Sequence, residues 1–197
     1  VQEALPMPEE VPFTVLGGLF DTYIVAQQGE EAFLIDKHAA HERVLFDRLR
    51  AQKQEIVSQT LLAPQVCRLG QEGAALVLEN LSLLDELGYG VEEFGEGTVL
   101  LRQVPMDLSP EQGADCLTSL AQDLQEGRRE DRDSLRDNLL HTMACKAAIK
   151  GGWTSDPAEL KILVEKVQSG EVRYCPHGRP VVVKVTKYEL EKLFKRA

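Results

Sequence analysis

The sequence predicts an α+β fold in two lobes. Three observations carry that reading. Strand-like and helix-like segments are interspersed without the regular β-α-β rhythm of a parallel sheet. Turn residues punctuate the N-terminal third at Gly17-Gly18 and Gln28-Gly29-Glu30. Capping signatures recur at Ser109-Pro110-Glu111-Gln112, Asp156-Pro157-Ala158-Glu159, and Thr186 with Glu189.

Residues 1–12, rich in Pro and Glu, read as the end of a linker. Phe13 to Ile35 reads as a strand meander, bent or bulged at Gly17-Gly18 and turned tightly at Gly29. A helix follows from about His38 to Arg50. Val57 to Leu69 is extended, and Pro64 confines it to a sheet edge because proline cannot donate to a ladder. From Gly73 to Leu87 the stripe Ala74, Leu78, Leu81, Leu84 and Leu87 predicts one helix, closed by Gly88. Gly90–Phe94 and Thr98–Val104 form a hairpin around Gly95-Glu96-Gly97.

The Ser109 box starts a helix that ends near Gly127, and the charge run 128–133 reads as a solvated loop or helix entry. Ser134 to Lys150 is a helix with Leu135, Leu139, Met143 and Ala147 on one side, closed by Gly151-Gly152. Another runs from Pro157 to about Gln168. Pro180 to Val185 is a strand whose unbroken valines predict burial on both faces. Thr186 and Glu189 cap a last helix to Lys195.

The chain has 197 residues, 43% hydrophobic and 27% charged, enough for one large domain or two small lobes with a real core. It begins at Val1 rather than Met, so it reads as a fragment of a longer protein. No apolar run reaches bilayer length and no signal peptide is evident, so no membrane partner is expected. Four scattered cysteines, Cys67, Cys116, Cys145 and Cys175, point to a reducing compartment rather than a disulfide framework. A net charge of −10 argues against tight autonomous binding to nucleic acid. Residues 171–197 nevertheless carry seven Lys or Arg against three Glu, a basic tail on an acidic body. A solvated amphipathic helix accounts for that tail.

Chemistry concentrates in two places. Asp36-Lys37-His38-Ala39-Ala40-His41-Glu42 follows the apolar run Ala32–Ile35, where a strand becomes a helix. His38 and Glu42 are four apart and share a helical face, and Asp36 can turn toward the same space. Two carboxylates and an imidazole suit a divalent metal. Strand alternation places Lys37 outward. Asp47, five residues beyond Glu42, is off that face and supports at most. The second cluster is Cys175-Pro176-His177-Gly178-Arg179-Pro180, where a thiolate and an imidazole suit zinc in a loop stiffened by proline. Taken alone, each cysteine also fits a small buried hydrophobe, and Cys145, mid-helix in Ala144-Cys145-Lys146, fits a close-packing position.

Together these motifs resemble the C-terminal domain of the MutL mismatch-repair proteins, in its endonuclease-bearing form. That family's Asp-Gln-His-Ala, two residues, Glu, four residues, Glu is matched by Asp36, His38, Ala39, Glu42 and Asp47, with Lys37 for Gln and Asp47 for the second Glu. Its Ala-Cys-Arg/Lys is matched by Ala144-Cys145-Lys146, its Cys-Pro-His-Gly-Arg-Pro by residues 175–180, and its closing Phe-x-Arg by Phe194-Lys195-Arg196. The matches keep the family's order nearly end to end.

The resemblance implies a metal-dependent DNA-nicking endonuclease and homodimerisation domain acting in mismatch repair. Glu42, Cys175 and His177 would be core ligands, with His38 near a second metal position, Asp36 orienting ligands or binding a catalytic metal, and Cys145 close by. His41 falls at a variable position of the motif. Asp47, Lys146, Arg179, Phe194 and Arg196 would support the site. Zn2+ would be structural or regulatory and Mn2+ catalytic; ATP would act only through an N-terminal region absent here. Gln59-Thr60-Leu61-Leu62-Ala63-Pro64 looks like the sliding-clamp-binding peptide that such endonucleases commonly carry at this place. Against it stands an edge strand with Leu61 and Leu62 both in the core. Implied partners are a second copy, the replication sliding clamp (beta clamp), DNA bound weakly alone, and MutS through the full-length protein, all in the cytoplasm and at the nucleoid during repair. The implied lobes are 13–69 with 141–197 for dimerisation and the metal site, and an inserted regulatory lobe of 70–140. A non-catalytic dimerisation module with a structural zinc site is the alternative.

Overall fold

The computed structural model describes residues 13–52, 56–126, 131–149 and 157–196. The expected linker end, Gly151-Gly152 and the Asp156 cap lie outside them. In chain order the elements are β1 (Thr14–Leu19), β2 (Tyr23–Gln28), β3 (Glu31–Asp36), α1 (Lys37–Ala51), β4 (Ser58–Arg68), α2 (Gly70–Glu79), α3 (Leu81–Glu86), β5 (Gly90–Glu93), β6 (Thr98–Pro105), α4 (Pro110–Gln125), α5 (Arg132–Ile149), α6 (Pro157–Gln168), β7 (Val182–Thr186) and α7 (Lys187–Leu193). The mixture of helices and antiparallel sheets is the expected α+β class.

The chain divides into two units, Val1–His41 with Trp153–Ala197, and Glu42–Gly152. The expected lobe boundaries near residues 70 and 140 do not coincide with these. β4 pairs with β6, and α5 packs on α4, so both elements belong with the middle of the chain. The division passes through α1 itself, just after His41.

In the first unit, β1-β2-β3-β7 form an antiparallel sheet. The bulge expected at Gly17 is present, and Gly29 takes φ +59° in the β2–β3 turn. The β1–β2 turn had no glycine to announce it. Phe20 and Asp21 both take positive φ, a conformation that costs an L-residue about 1–2 kcal/mol. Alternation puts Ile24, Ala26 and Ile35 on the buried face, and α6 supplies Leu160, Leu163, Val164 and Val167 at helical spacing to the same unit's core. The opposite face carries the cross-strand row Val25, Leu34 and Val183. Here the expectation of a doubly buried β7 fails. β7 is a sheet edge, and Val183 is exposed. Its valines alternate between two faces, and among the described residues the face of Val183 is left exposed. The Thr186–Glu189 capping box forms as expected and starts α7.

In the second unit, the sheet β4-β6-β5 backs a core of Leu83, Leu84, Leu87, Tyr89, Val99, Leu101, Leu117, Leu140 and Met143. β4 is an edge, as Pro64 requires, and its register slips between Thr60 and Gln65. The expected single helix over 73–87 is two. It breaks at Asn80, whose side chain donates to the Leu76 carbonyl at 2.8 Å and so competes with the backbone ladder. The Ser109 capping box is complete, and Gly113 follows it where α4 meets β6.

A Cβ at Gly113 would stand 2.5 Å from Val104 Cγ1, and Val104 is fully buried. Alanine is the better helix former by about 1 kcal/mol, yet overpacking of this kind costs about 1–3 kcal/mol. Gly113→Ala should therefore lower the urea midpoint of unfolding, whereas a gain in stability would mean that α4 does not seat on Val104.

Candidate metal centre

The geometry begins with backbone. Antiparallel pairing of β3 with β7 sets Ile35 opposite Val182, and one further bond, from Asp36 N–H to the Val181 carbonyl at 2.8 Å, closes the ladder. On the other side of Asp36, Lys37 N–H donates to the Thr22 carbonyl at 3.0 Å. The end of β3 is thereby pinned on both sides, and α1 starts from a fixed point. Asp36 caps that start: its carboxylate accepts from Ala39 N–H at 3.0 Å.

The loop before β7 is a tight hairpin. Tyr174 bridges Pro180, Cys175 N–H donates to the Arg179 carbonyl at 2.9 Å, and Gly178 N–H donates to the Cys175 carbonyl at 2.8 Å. Pro176 presets its first corner, and Gly178 takes φ +79°, the left-handed position where glycine is unstrained. Nothing lies within 4 Å of a Cβ built there, so backbone conformation alone calls for glycine. Cys175, His177 and the turn residues are therefore one device. The rigid pieces hold two donors at fixed positions.

Among the described residues, Glu42, Cys175 and His177 offer ligand atoms that all lie within 4.8 Å of one another. Cys175 is buried, His177 is exposed, and the Glu42 side chain is only 12% exposed. Zinc–nitrogen and zinc–sulfur bonds of about 2.0–2.3 Å put neighbouring donors roughly 3.5 Å apart. A thiolate, an imidazole and a carboxylate at this separation need only a small contraction to share one ion, so the donor set fits zinc.

The other residues singled out in the sequence lie as follows. His38 is exposed on α1 and outside the group; His41 is half-buried and also outside it. Lys37 is buried at 6% rather than outward, because it is the first residue of the helix and strand alternation no longer applies. Asp47 pairs with Arg43 one turn back, at 2.9 Å. Cys145 is half-buried on α5. Lys146 reaches Asp115 at 3.3 Å, and its carbonyl accepts from Gln112 at 2.7 Å, which holds α5 to α4. Arg179 is exposed, and Arg196 lies over the exposed Phe194 ring at 5.8 Å.

Within 59–64, Leu61 is buried and Leu62 is fully exposed, on the stretch where β4 slips register. Gln59 donates to the Leu108 carbonyl at 2.7 Å. Neither the free peptide nor the wholly buried strand describes this segment.

A residue absent from the sequence reading also meets this group. His141 Nε2 on α5 stands 3.5 Å from Glu42 Oε1. Its only sequence signal was position, four residues before Cys145 and so on the same helical face.

The family model described as the MutL C-terminal dimerisation domain matches residues 16–154. The chain belongs to the MutL C-terminal dimerisation family. It is 37% identical over 183 residues to the DNA mismatch repair protein MutL of Caldanaerobacter subterraneus, covering 92% of this chain and 31% of that protein. MutL of Thermoanaerobacter pseudethanolicus is 36% identical over the same share of the chain, and covers 30% of that protein. MutL of Clostridium botulinum is 33% identical over 199 residues, all of this chain and 30% of that protein. The chain thus spans about three tenths of the length of the curated MutL relatives it matches. The family match stops before the Cys175 turn, but the full-length relatives align beyond it. No described helix of this MutL-family chain is long and apolar enough to cross a membrane.

The second unit's core holds two further cysteines, Cys67 and Cys116. Burial pushes the Cys116 thiol up to about 11, although the nearby Lys146 charge lowers it. At pH 8 its thiolate fraction is then about a thousandth, against roughly a quarter for a free thiol. In folded protein at pH 8, iodoacetamide should leave Cys116 unlabelled by mass mapping, and labelling should rise only as pH approaches 11. Rapid labelling at pH 8 would contradict its burial.

Proposed function

We propose that this chain is the homodimerising, metal-dependent DNA-nicking domain of a mismatch-repair protein, brought to DNA by a sliding clamp. The observation that carries the reading is the meeting of Glu42, Cys175 and His177, supported by membership of the MutL family. A divalent ion held there would supply a water made nucleophilic near neutral pH and stabilisation of the charge that develops on the phosphate. Cys175 and His177 suit Zn2+, while Asp36, His38 and Glu42 offer the oxygen and imidazole donors that Mn2+ accepts. Asp36 fixes the helix start from which Glu42 projects. Arg179, exposed two residues after His177, is available to a phosphate.

A body of net charge −10 gains little from DNA by electrostatics alone. Delivery by a clamp answers that, and the exposed Leu62 is the apolar anchor such a partner would take. Homodimerisation fits the face of the first unit's sheet that carries the exposed Val183, where Leu16, Ala32, Val185 and Leu190 line an apolar cleft. ATP hydrolysis and contact with MutS belong, on this reading, to the rest of a longer protein.

A second reading, a dimerisation module with a structural zinc site and no catalysis, is favoured by one observation. Asp36 is engaged as a helix cap, and neither it nor His38 joins the three-residue group.

Nicking of supercoiled plasmid with Mn2+ separates the two. Asp36→Asn keeps a good cap but removes the charge, and nicking should fall by about tenfold or more with the dimer intact. Undiminished nicking in this variant removes Asp36 from the catalytic set, whereas no nicking by the wild type even with clamp present supports the non-catalytic reading. Leu62→Ala should abolish retention on immobilised clamp; full retention rules out Leu62 as the anchor. Val183→Glu should shift sedimentation from dimer to monomer, and an unchanged dimer would move the interface off this sheet face.

A further inference from the structure

We propose that His141 is a positioning residue for Glu42, fixing the direction in which that carboxylate meets the Cys175–His177 pair. The inference rests on the metal-centre reading above and assigns a residue that none of the matched motifs contains.

Glu42 and Phe46 are four apart on α1 and face the same way. The His141 imidazole meets both. Its Nε2 stands 3.5 Å from Glu42 Oε1, and its ring meets Phe46 edge-on, with centroids 6.1 Å apart at 90°. The side chain is only 25% exposed, so few other rotamers are open to it. Phe46 is itself held: it is buried, and Arg43 and Arg50 lie over its ring at 5.7 and 5.8 Å. Arg43 is in turn fixed by Asp47. The imidazole is therefore a packed group whose Nε2 lies 3.5 Å from one carboxylate oxygen.

Carboxylates that bind metals are commonly oriented by a second group, because a freely rotating Glu loses entropy on binding and presents either oxygen. The Nε2–H tautomer of neutral His141 can donate to Oε1, as can the imidazolium. With Oε1 fixed, Oε2 is left to turn toward Cys175 and His177. His141 is not itself in the mutually close group, so its action runs through Glu42. The same face of α5 carries Cys145 one turn further on.

Zinc affinity, measured by competition with a chromogenic chelator, tests this without any assay of nicking. The comparison uses the whole chain in wild-type, His141→Leu, His141→Ala and His141→Gln forms, each checked for folding by circular dichroism. Leu keeps packing against Phe46 but has no donor; Gln keeps a donor. Affinity should fall by about 10–100-fold in Leu and Ala, and Gln should recover most of it. In a Glu42→Ala background, His141→Leu should cause no further loss. Equal affinity in wild type and Leu overturns the proposal, as does an undiminished effect of His141→Leu when Glu42 is already Ala. A folded wild type that takes up no zinc overturns the metal-centre reading itself, and the proposal with it.

Discussion

The Asp36–Val181 hydrogen bond, at the end of the β3–β7 ladder, is the constraint on which the rest of the candidate centre depends. It ties the strand-to-helix junction of one motif to the last residue before β7, directly after the Cys175 turn. These segments lie at opposite ends of the chain, and closing so long a loop costs entropy that no single metal-ligand pair needs to offset here. The sheet does so through a full antiparallel register and the buried Ile24–Ile35 pair. An ion taken up at Cys175 and His177 would then require adjustment of side chains rather than assembly of backbone.

Within each motif, the residues divide between shape and chemistry. Asp36 caps α1, Pro176 and Gly178 shape the turn, and the Cys175 and Gly178 amides hold the hairpin closed. Cys175, His177 and Glu42 are left with side chains that these contacts aim. Such a division explains why the unbroken run Cys-Pro-His-Gly-Arg-Pro is more informative than a Cys-x-His pair alone. A Cys-x-His pair in a flexible loop would lose far more freedom on binding. Asp36 belongs to both groups: its Oδ1 accepts a backbone hydrogen bond while its charge lies near the start of the helix that bears Glu42.

Local chemistry was legible in the sequence wherever a short-range rule decided the outcome. The Ser109 and Thr186 capping boxes, the Gly29 turn and the β5–β6 hairpin at Gly95–Gly97 all form where their residues demand. Features set by non-local packing were not legible. Val183 belongs to an apolar strand whose edge position depends on topology. The burial of Lys37 depends on α1 starting one residue earlier than expected. Asn80 breaks a periodic stripe through a hydrogen bond that hydrophobic spacing does not register. His141 meets Glu42 only because α5 lies against α1, and no spacing rule connects positions so far apart.

The segment 59–64 shows how one short stretch can serve a core and a surface together. Between Thr60 and Gln65 the pairing with β6 slips, so four residues leave the ladder where a regular edge strand would have continued. Leu61 turns inward and anchors the excursion in the second unit's core, while Leu62 is directed fully outward. Gln59 holds the entry, bonded to the carbonyl of Leu108 beyond β6. A partner that takes Leu62 finds it already presented on a braced loop, with little ordering entropy left to lose. A partner that also requires the Gln59 carboxamide must break a bond that helps hold β4 against the 106–108 turn. Recognition of the leucine and of the glutamine therefore carry different costs, and the leucine is the part of the motif that the fold already presents to a partner.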